Sequence, residues 1–284
     1  MAHKNKTNIS PYKTRQIKRE SEKHPSAPKP GSNKVLMGRH KKADVIYSAQ
    51  EANDRLFDIF KNHEFDHITH QQRMKLAEFY HLLMTTQENE NFTRLLKFRD
   101  IAIRHFIDCM IVAKLTKLTF PLMDVGTGPG FPGMPLKVLF PQETIVLAEG
   151  VQRRVEFLKK VRDELQLPNL KILGRNINQS VTYPVNGVIT RAVEDVGNTL
   201  GNVLYSLQTG GKVFLMKGPN VDPEIPDALQ KWGQYYELEQ DIAYTLPQTP
   251  HERRLLVFKK IKAPELIDLE TLLDMEYADS SDDE

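Results

Sequence analysis

The sequence predicts an α/β fold: a mostly parallel sheet covered by helices on both faces, preceded by a helical lead-in. Three observations predict it. After Phe120 short apolar runs alternate with amphipathic stretches. A glycine cluster, Gly126 to Gly133, falls where the first run gives way to the first stretch. Before Phe120 the apolar residues recur at helical spacing. Alternating strand and helix signals imply parallel strands, because parallel neighbours need a crossover long enough to hold a helix.

The elements follow in chain order. Ser48 to His63 places Ala52, Leu56, Phe57 and Phe60 at helical intervals, and His67 to Met84 does the same with Met74, Leu76, Ala77, Tyr80 and Leu83. A third helix is expected from Asp100 to Leu118, presenting Ile101, Phe106, Met110 and Leu115 among others. Helices of this length are marginal alone, so the lead-in must pack on something. The later elements read Pro121–Val125, Pro132–Leu139, Thr144–Ala148, Val151–Leu165, Leu170–Leu173 and Gly187–Thr190. A helical stretch near Asn198–Leu207 precedes Lys212–Met216. Leu255–Phe258, after a loop with Pro247 and Pro250, is expected to form an antiparallel edge hairpin with Asp241–Leu246. There is no internal repeat.

The net charge of +2 hides an uneven layout. Residues 1–42 carry 12 Lys or Arg against two Glu, whereas residues 265–284 carry nine acids and no base. The expected organisation is therefore a basic disordered arm (1–44), an α/β domain (45–262, with the lead-in over 45–118) and an acidic tail (263–284). The arm has few apolar residues to bury. Its cations either solubilise the chain or attract RNA phosphate. No run of about 18 apolar residues argues for a membrane span, and the first residues lack the apolar core of a secretory signal. A single cysteine, Cys109, excludes an intramolecular disulfide and a cysteine-based zinc site. A cytoplasmic monomer is the expectation.

The strongest motif is Asp124-Val-Gly126-Thr-Gly128-Pro-Gly130-Phe-Pro-Gly133. Glycines at a strand-to-helix turn let the backbone bend sharply and approach a ligand more closely than a Cβ would permit. Two ligands compete for it. Gly128, Gly130 and Gly133 fit the Gly-x-Gly-x-x-Gly of dinucleotide sites, while Asp124, Gly126, Gly128 and Gly130 fit the acid-x-Gly-x-Gly-x-Gly of S-adenosylmethionine sites. Pro129 and Pro132 cannot donate an N–H to a pyrophosphate. S-adenosylmethionine has no phosphate and loses nothing by them. The loop therefore favours the methyl donor over a nicotinamide cofactor. Glu149, at the end of the second strand and 23 residues after Gly126, stands where a carboxylate binds ribose hydroxyls in a Rossmann-like sheet.

At these residues the chain resembles the bacterial 16S ribosomal RNA guanine-N7 methyltransferases, formerly called glucose-inhibited division protein B. The resemblance runs from about Asn91 to Lys260. It rests on the glycine string, on Arg153-Arg-Val-Glu-Phe-Leu158, Val188-Ile-Thr-Arg-Ala192, Lys217-Gly218 and Glu252-Arg-Arg-Leu-Leu-Val-Phe258, and on His105 and Asp108 as a His-x-x-Asp pair. It implies a Rossmann-like class I methyltransferase fold, S-adenosyl-L-methionine as cofactor, and 16S ribosomal RNA or the small subunit as partner, with the target in the 530-loop region. It implies methyl-donor contacts from Gly126 and Phe131, adenine-side contacts from Ile177 and Asn178, and another from Arg191. Two positions depart from the family pattern: Glu149 and Asn178 stand where Asp and Glu are usual.

Guanine N7 carries a lone pair and no proton, so its methylation needs alignment and exclusion of water rather than a general base. The sequence accordingly offers no catalytic acid/base pair beside the loop. An exposed N7 edge implies an unstacked or single-stranded guanine. Arg94, Arg104, Arg153, Arg154, Lys217, Arg253 and Arg254 are candidates for phosphate contact, with Lys217, Arg253 and Arg104 foremost. His63, His67 and His70 lack the companion ligands of a metal site, and none is expected. His105 and Asp108 share a helix face and are expected to hold that helix to the sheet. The competing readings are methylation of another RNA, a protein or a small molecule, a nicotinamide-dependent oxidoreductase, and an inactive RNA-binding relative.

Overall fold

The computed structural model describes residue 43 and residues 45–191 and 194–264. The basic residues 1–42 and acidic residues 265–284, read above as arm and tail, lie outside the described residues.

Two capped helices open the domain. Ser48 Oγ accepts from the Glu51 amide at the start of α1 (Ala49–Asn62). Thr69 caps α2 (His70–Glu90) reciprocally: its hydroxyl accepts from the Gln72 amide at 3.2 Å, and Gln72 Oε1 accepts from the Thr69 amide at 3.0 Å. Such caps contribute about 1 kcal/mol. The cap starts α2 three residues later than periodicity alone suggested.

The expected single helix over 100–118 is a composite. It comprises α3 (Phe98–Ile101), a π-helical segment (Ala102–Ile107), α4 (Asp108–Met110) and α5 (Val112–Leu115). The wide turn coincides with an outside donor, since Arg191 Nη1 reaches the Arg104 carbonyl at 3.1 Å. π-Segments of this kind recur at functional sites.

Then follow β1 (Leu122–Val125), α6 (Gly133–Leu139), β2 (Ile145–Ala148), α7 (Gln152–Glu164), β3 (Leu170–Leu173) and β4 (Val185–Arg191). α8 (Val196–Asn202), β5 (Leu207–Lys217), α9 (Glu224–Trp232), β6 (Tyr236–Thr245) and β7 (Glu252–Lys260) complete the chain. The sheet order is β3-β2-β1-β4-β5-β7-β6. β1 to β5 are parallel, while β7 runs antiparallel to both β5 and β6. Two expectations change. The helix near 198–207 stops at Asn202, because Leu207 is already paired with Val185. α9 went unread because Pro223 and Pro226 interrupt its pattern, yet prolines are tolerated in a first helical turn. The edge hairpin is present as expected, with β6 as the outermost strand and β7 joining it to β5.

Strand alternation divides the core in two. Leu122, Ile145, Leu147, Ile189, Phe214 and Val257 face the lead-in helices, α6 and α7. Met123, Val146, Val188, Val213, Leu215 and Leu256 face α8 and α9. Successive side chains on a strand point to opposite faces, so near-continuous apolar strands require cover on both sides. The lead-in is thus part of the same core, and its packing on one face brings it level with the sheet's carboxyl edge.

Candidate functional site

The chain leaves β1 for β2 and β3 on one side, then returns to β4 on the other. Ligands bind in the crevice at such a switch point, beyond the carboxyl ends of the strands. A cavity of about 620 Å³ opens there. Its floor is the glycine loop, with Gly126, Thr127, Gly128 and Phe131. Arg191 closes β4, Met216 and Lys217 close β5, and Arg253 opens β7 at the same edge because β7 runs the other way. The opposite wall comes from the lead-in: Phe92 to Leu95, then Arg104, His105 and Asp108.

The loop is braced from beneath. Asp124 is fully buried, and its Oδ2 accepts from Thr127 Oγ1 at 2.5 Å and from the Gly133 amide at 2.6 Å. Its Oδ1 has no hydrogen-bond partner among the described residues. Burial pushes this carboxyl up to about 7, against the pull of the Thr127 and Gly133 bonds and the Arg191 charge. Gly133 sits so close that a Cβ would meet Leu147 Cδ2 at 2.2 Å and Asp124 Oδ2 at 2.8 Å. Gly128 differs: its φ is +61°, and a Cβ there would meet nothing within 4 Å. The one glycine is a packing requirement, the other a bare surface turned to the cavity. Glu149 spans the loop from the side, accepting from the Gly128 amide at 2.9 Å and the Val151 amide at 2.8 Å.

A family model described as rRNA small subunit methyltransferase G matches residues 72–255. The chain belongs to that family. It is 66% identical over 226 residues to a Bdellovibrio bacteriovorus protein named ribosomal RNA small subunit methyltransferase G 2, covering 80% of this chain and 89% of that one. It is 41% identical to a Syntrophobacter fumaroxidans protein of the same name over 70% of this chain and 40% of that one. A ribosomal RNA small subunit methyltransferase G from Leuconostoc mesenteroides is 33% identical, over 69% and 87%. The chain is therefore a methyltransferase, on a Rossmann-like α/β sheet.

Within the chain, the residues singled out from sequence fall into separate groups. Gly126, Gly128, Phe131 and Arg191 line the cavity together, as do Arg104, Lys217 and Arg253. Gly130 does not: its φ is +116°, and a Cβ would meet Met134 Cγ at 2.6 Å, so it serves packing. Glu149, Ile177 and Asn178 are not among the lining residues. Ile177 is buried in the second core cluster. Asn178 is exposed, and its Oδ1 accepts from the Ser180 amide and hydroxyl.

The cations divide as well. Lys217 binds the Glu194 carbonyl and Glu224 Oε2 at 2.8 Å, and only 10% of its side chain is exposed. Arg253 pairs with Asp108 at 3.2 Å, and Arg254 with Asp222 and Asp241. Arg153 and Arg154 pair with Glu90 and Glu149. Arg94 and Arg104 are exposed and carry no ion pair among the described residues. His63 is tied to the Ile59 carbonyl and His70 to Asn53, so the two rings serve local helix contacts.

Sequence reasoning named Arg94 but missed Thr93 and the rest of the stretch around it, which lies some thirty residues before the glycine loop and carries no motif. Its role arises only from packing. Thr93 Oγ1 contacts His105 Nε2 at 3.0 Å, and Arg191 Nη2 contacts His105 Nδ1 at 3.1 Å. A guanidinium only donates, so Nδ1 is the acceptor and Nε2 carries the proton. Burial first, and the Arg191 charge second, hold the His105 pKa well below its usual value, which keeps the ring neutral.

Proposed function

We propose that this enzyme transfers the methyl group of S-adenosyl-L-methionine to N7 of a guanine in 16S ribosomal RNA, within the 530-loop region. It acts as a cytoplasmic monomer on that RNA or on the small subunit. The single observation that carries the choice of atom is the state of the acids and bases in the cavity. His105 has its acceptor nitrogen filled by Arg191. Asp108 holds Arg191 at 3.4 Å and Arg253 at 3.2 Å. Both are engaged by guanidinium groups rather than turned to the cavity as an open base. Methylation of a ring N–H, an exocyclic amine or a hydroxyl releases one, whereas N7 of guanine has none to lose.

The cavity suits the cofactor. Gly128 presents bare backbone with open space above it, and Glu149 fixes that backbone through its amide. When bound, the cofactor supplies an electrophilic methyl on a sulfonium. The chain's own part is alignment and exclusion of water by Phe131, His105, Phe92 and Met216. Arg94 and Arg104, exposed at the rim, are placed to meet phosphate.

The test is incubation of the protein with tritiated S-adenosyl-L-methionine and either protein-free 16S RNA or small subunits, followed by nucleoside analysis. Label in 7-methylguanosine is expected. Label in another nucleoside, or none in either substrate, overturns the reading.

A further inference from the structure

A second cavity, of about 650 Å³, is lined by the continuation of the strip that walls the first. Phe92 to Leu95 line the first cavity, and Leu96 to Arg99 line the second. Arg94 and Lys97 are three residues apart, so their Cα atoms are within about 10 Å. The second cavity is built on anchored parts. Tyr47 donates its amide to Tyr80 Oη at 3.3 Å and accepts from His81 Nδ1 at 2.9 Å, which ties one wall to α2. Its ring lies edge-on to Phe98 at 5.4 Å and under the Arg55 guanidinium at 4.1 Å.

The charges are arranged unevenly. Lys97 and Arg99 are exposed and have no ion pair among the described residues, like Arg94 and Arg104 beside the first cavity. Arg55, by contrast, is paired with Glu51 at 3.0 Å. Three cations on one strip, Arg94, Lys97 and Arg99, with Arg104 on the facing wall of the first cavity, are unneutralised among the described residues and form a track for a polyanion. Asp58 also lines the second cavity, without a partner among the described residues. A carboxylate there repels phosphate but accepts from the amino group of a base.

We propose that this cavity receives a nucleotide flanking the target guanine in a single-stranded stretch of the RNA. Its phosphates run along Arg94, Lys97 and Arg99, and its base lies beside Tyr47 with an exocyclic amine toward Asp58. Aromatic rings with flanking cations are the usual means of holding single strands. The inference rests on the RNA reading above and deepens it.

The experiment compares the wild type with Lys97→Ala/Arg99→Ala, both in the presence of S-adenosyl-L-methionine. Protein-free 16S RNA serves for kinetics, and an unstructured RNA oligonucleotide for binding across a salt series. The variant is expected to raise the KM for RNA on the order of tenfold with kcat retained. Its slope of log affinity against log salt is expected to flatten by about 1.4, two single-strand phosphate contacts at about 0.7 each. Equal melting temperatures and equal affinity for the methyl donor show that fold and first cavity are intact. A wild type that methylates RNA beside a variant with the same KM and slope overturns this inference alone. A wild type that neither binds nor methylates RNA overturns the function reading beneath it. Tighter RNA binding by the variant would assign the cations to the acidic stretch 265–284, and also overturns it.

Discussion

The imidazole of His105 lies against the ring of Phe131, with centroids 4.2 Å apart and planes 18° from parallel. One ring belongs to the π-helical segment of the lead-in, the other to the glycine loop. Arg191, from the end of β4, reaches both: it donates to His105 Nδ1 and holds its guanidinium carbon 5.4 Å from the Phe131 centroid. Three separate stretches of chain are thereby joined at the cavity wall.

Removing the imidazole should loosen that wall. His105→Ala leaves an Arg191 N–H unpaired in a buried setting, at about 2 kcal/mol, and frees the Phe131 ring. Calorimetry should show methyl-donor affinity falling about tenfold, an effect His105→Gln partly rescues by keeping an acceptor. The same histidine gives a pH signature. Its pKa is lower in the folded chain than in the unfolded one, so the unfolded state binds more protons around the unfolded value of about 6.5. Its contribution to stability is present above that value and is lost as pH falls. Thermal melts should show a steeper acid decline for the wild type than for His105→Gln.

Asp124 has the opposite sign. Its folded pKa, near 7, is above the unfolded carboxylate value of about 3.9. The folded chain holds the extra proton, so this contribution is greatest below about pH 4 and is lost as pH rises through 7. Asp124→Asn keeps an acceptor for Thr127 and Gly133 and cannot ionise. Its stability relative to the wild type should improve by about 2 kcal/mol between pH 5 and pH 8, measured by denaturant unfolding. A constant difference across that range would refute the assignment.

Two glycines of one loop should fail in different ways. Gly133→Ala drives a methyl into Leu147 and the Asp124 carboxylate, and is expected to cost about 3 kcal/mol of stability. Gly128→Ala meets no protein atom and pays only for its left-handed backbone, about 1 kcal/mol. Its methyl instead enters the cavity, so the folded variant should lose at least about tenfold in S-adenosyl-L-methionine affinity. Melting and titration on the same two proteins separate the outcomes.

Lys217 and Arg104 line the same cavity but should behave differently toward RNA. Arg104→Ala removes an unpaired cation and should flatten the salt dependence of RNA binding by about 0.7. Lys217→Ala breaks the contacts to Glu224 and the Glu194 carbonyl that join β5 to α9 and to the segment leading into α8. It should lower stability by about 2 kcal/mol while leaving the salt slope unchanged.

The sheet and the glycine loop were legible because both rest on local signals. Period-two and near-continuous apolar runs mark strands, and Gly126, Gly128 and Gly130 mark a turn that side chains would obstruct. The strand-end position of Glu149 was legible for the same reason. The break in the third helix was not, since its apolar spacing is continuous and the Arg191 contact at Arg104 comes from a distant strand. α9 was hidden by its own prolines.

The α/β architecture, the loop chemistry and the family follow from the linear order of residues, because hydrophobic period and backbone freedom are properties of neighbours. Which cations are neutralised follows from folding. Lys217 and Arg253 look like phosphate ligands in one dimension, yet Glu224 and Asp108 neutralise them in three, while Arg94 and Arg104 have no ion pair among the described residues. Charge on a side chain is local, but its neutralisation depends on which distant carboxylate the fold brings within about 4 Å.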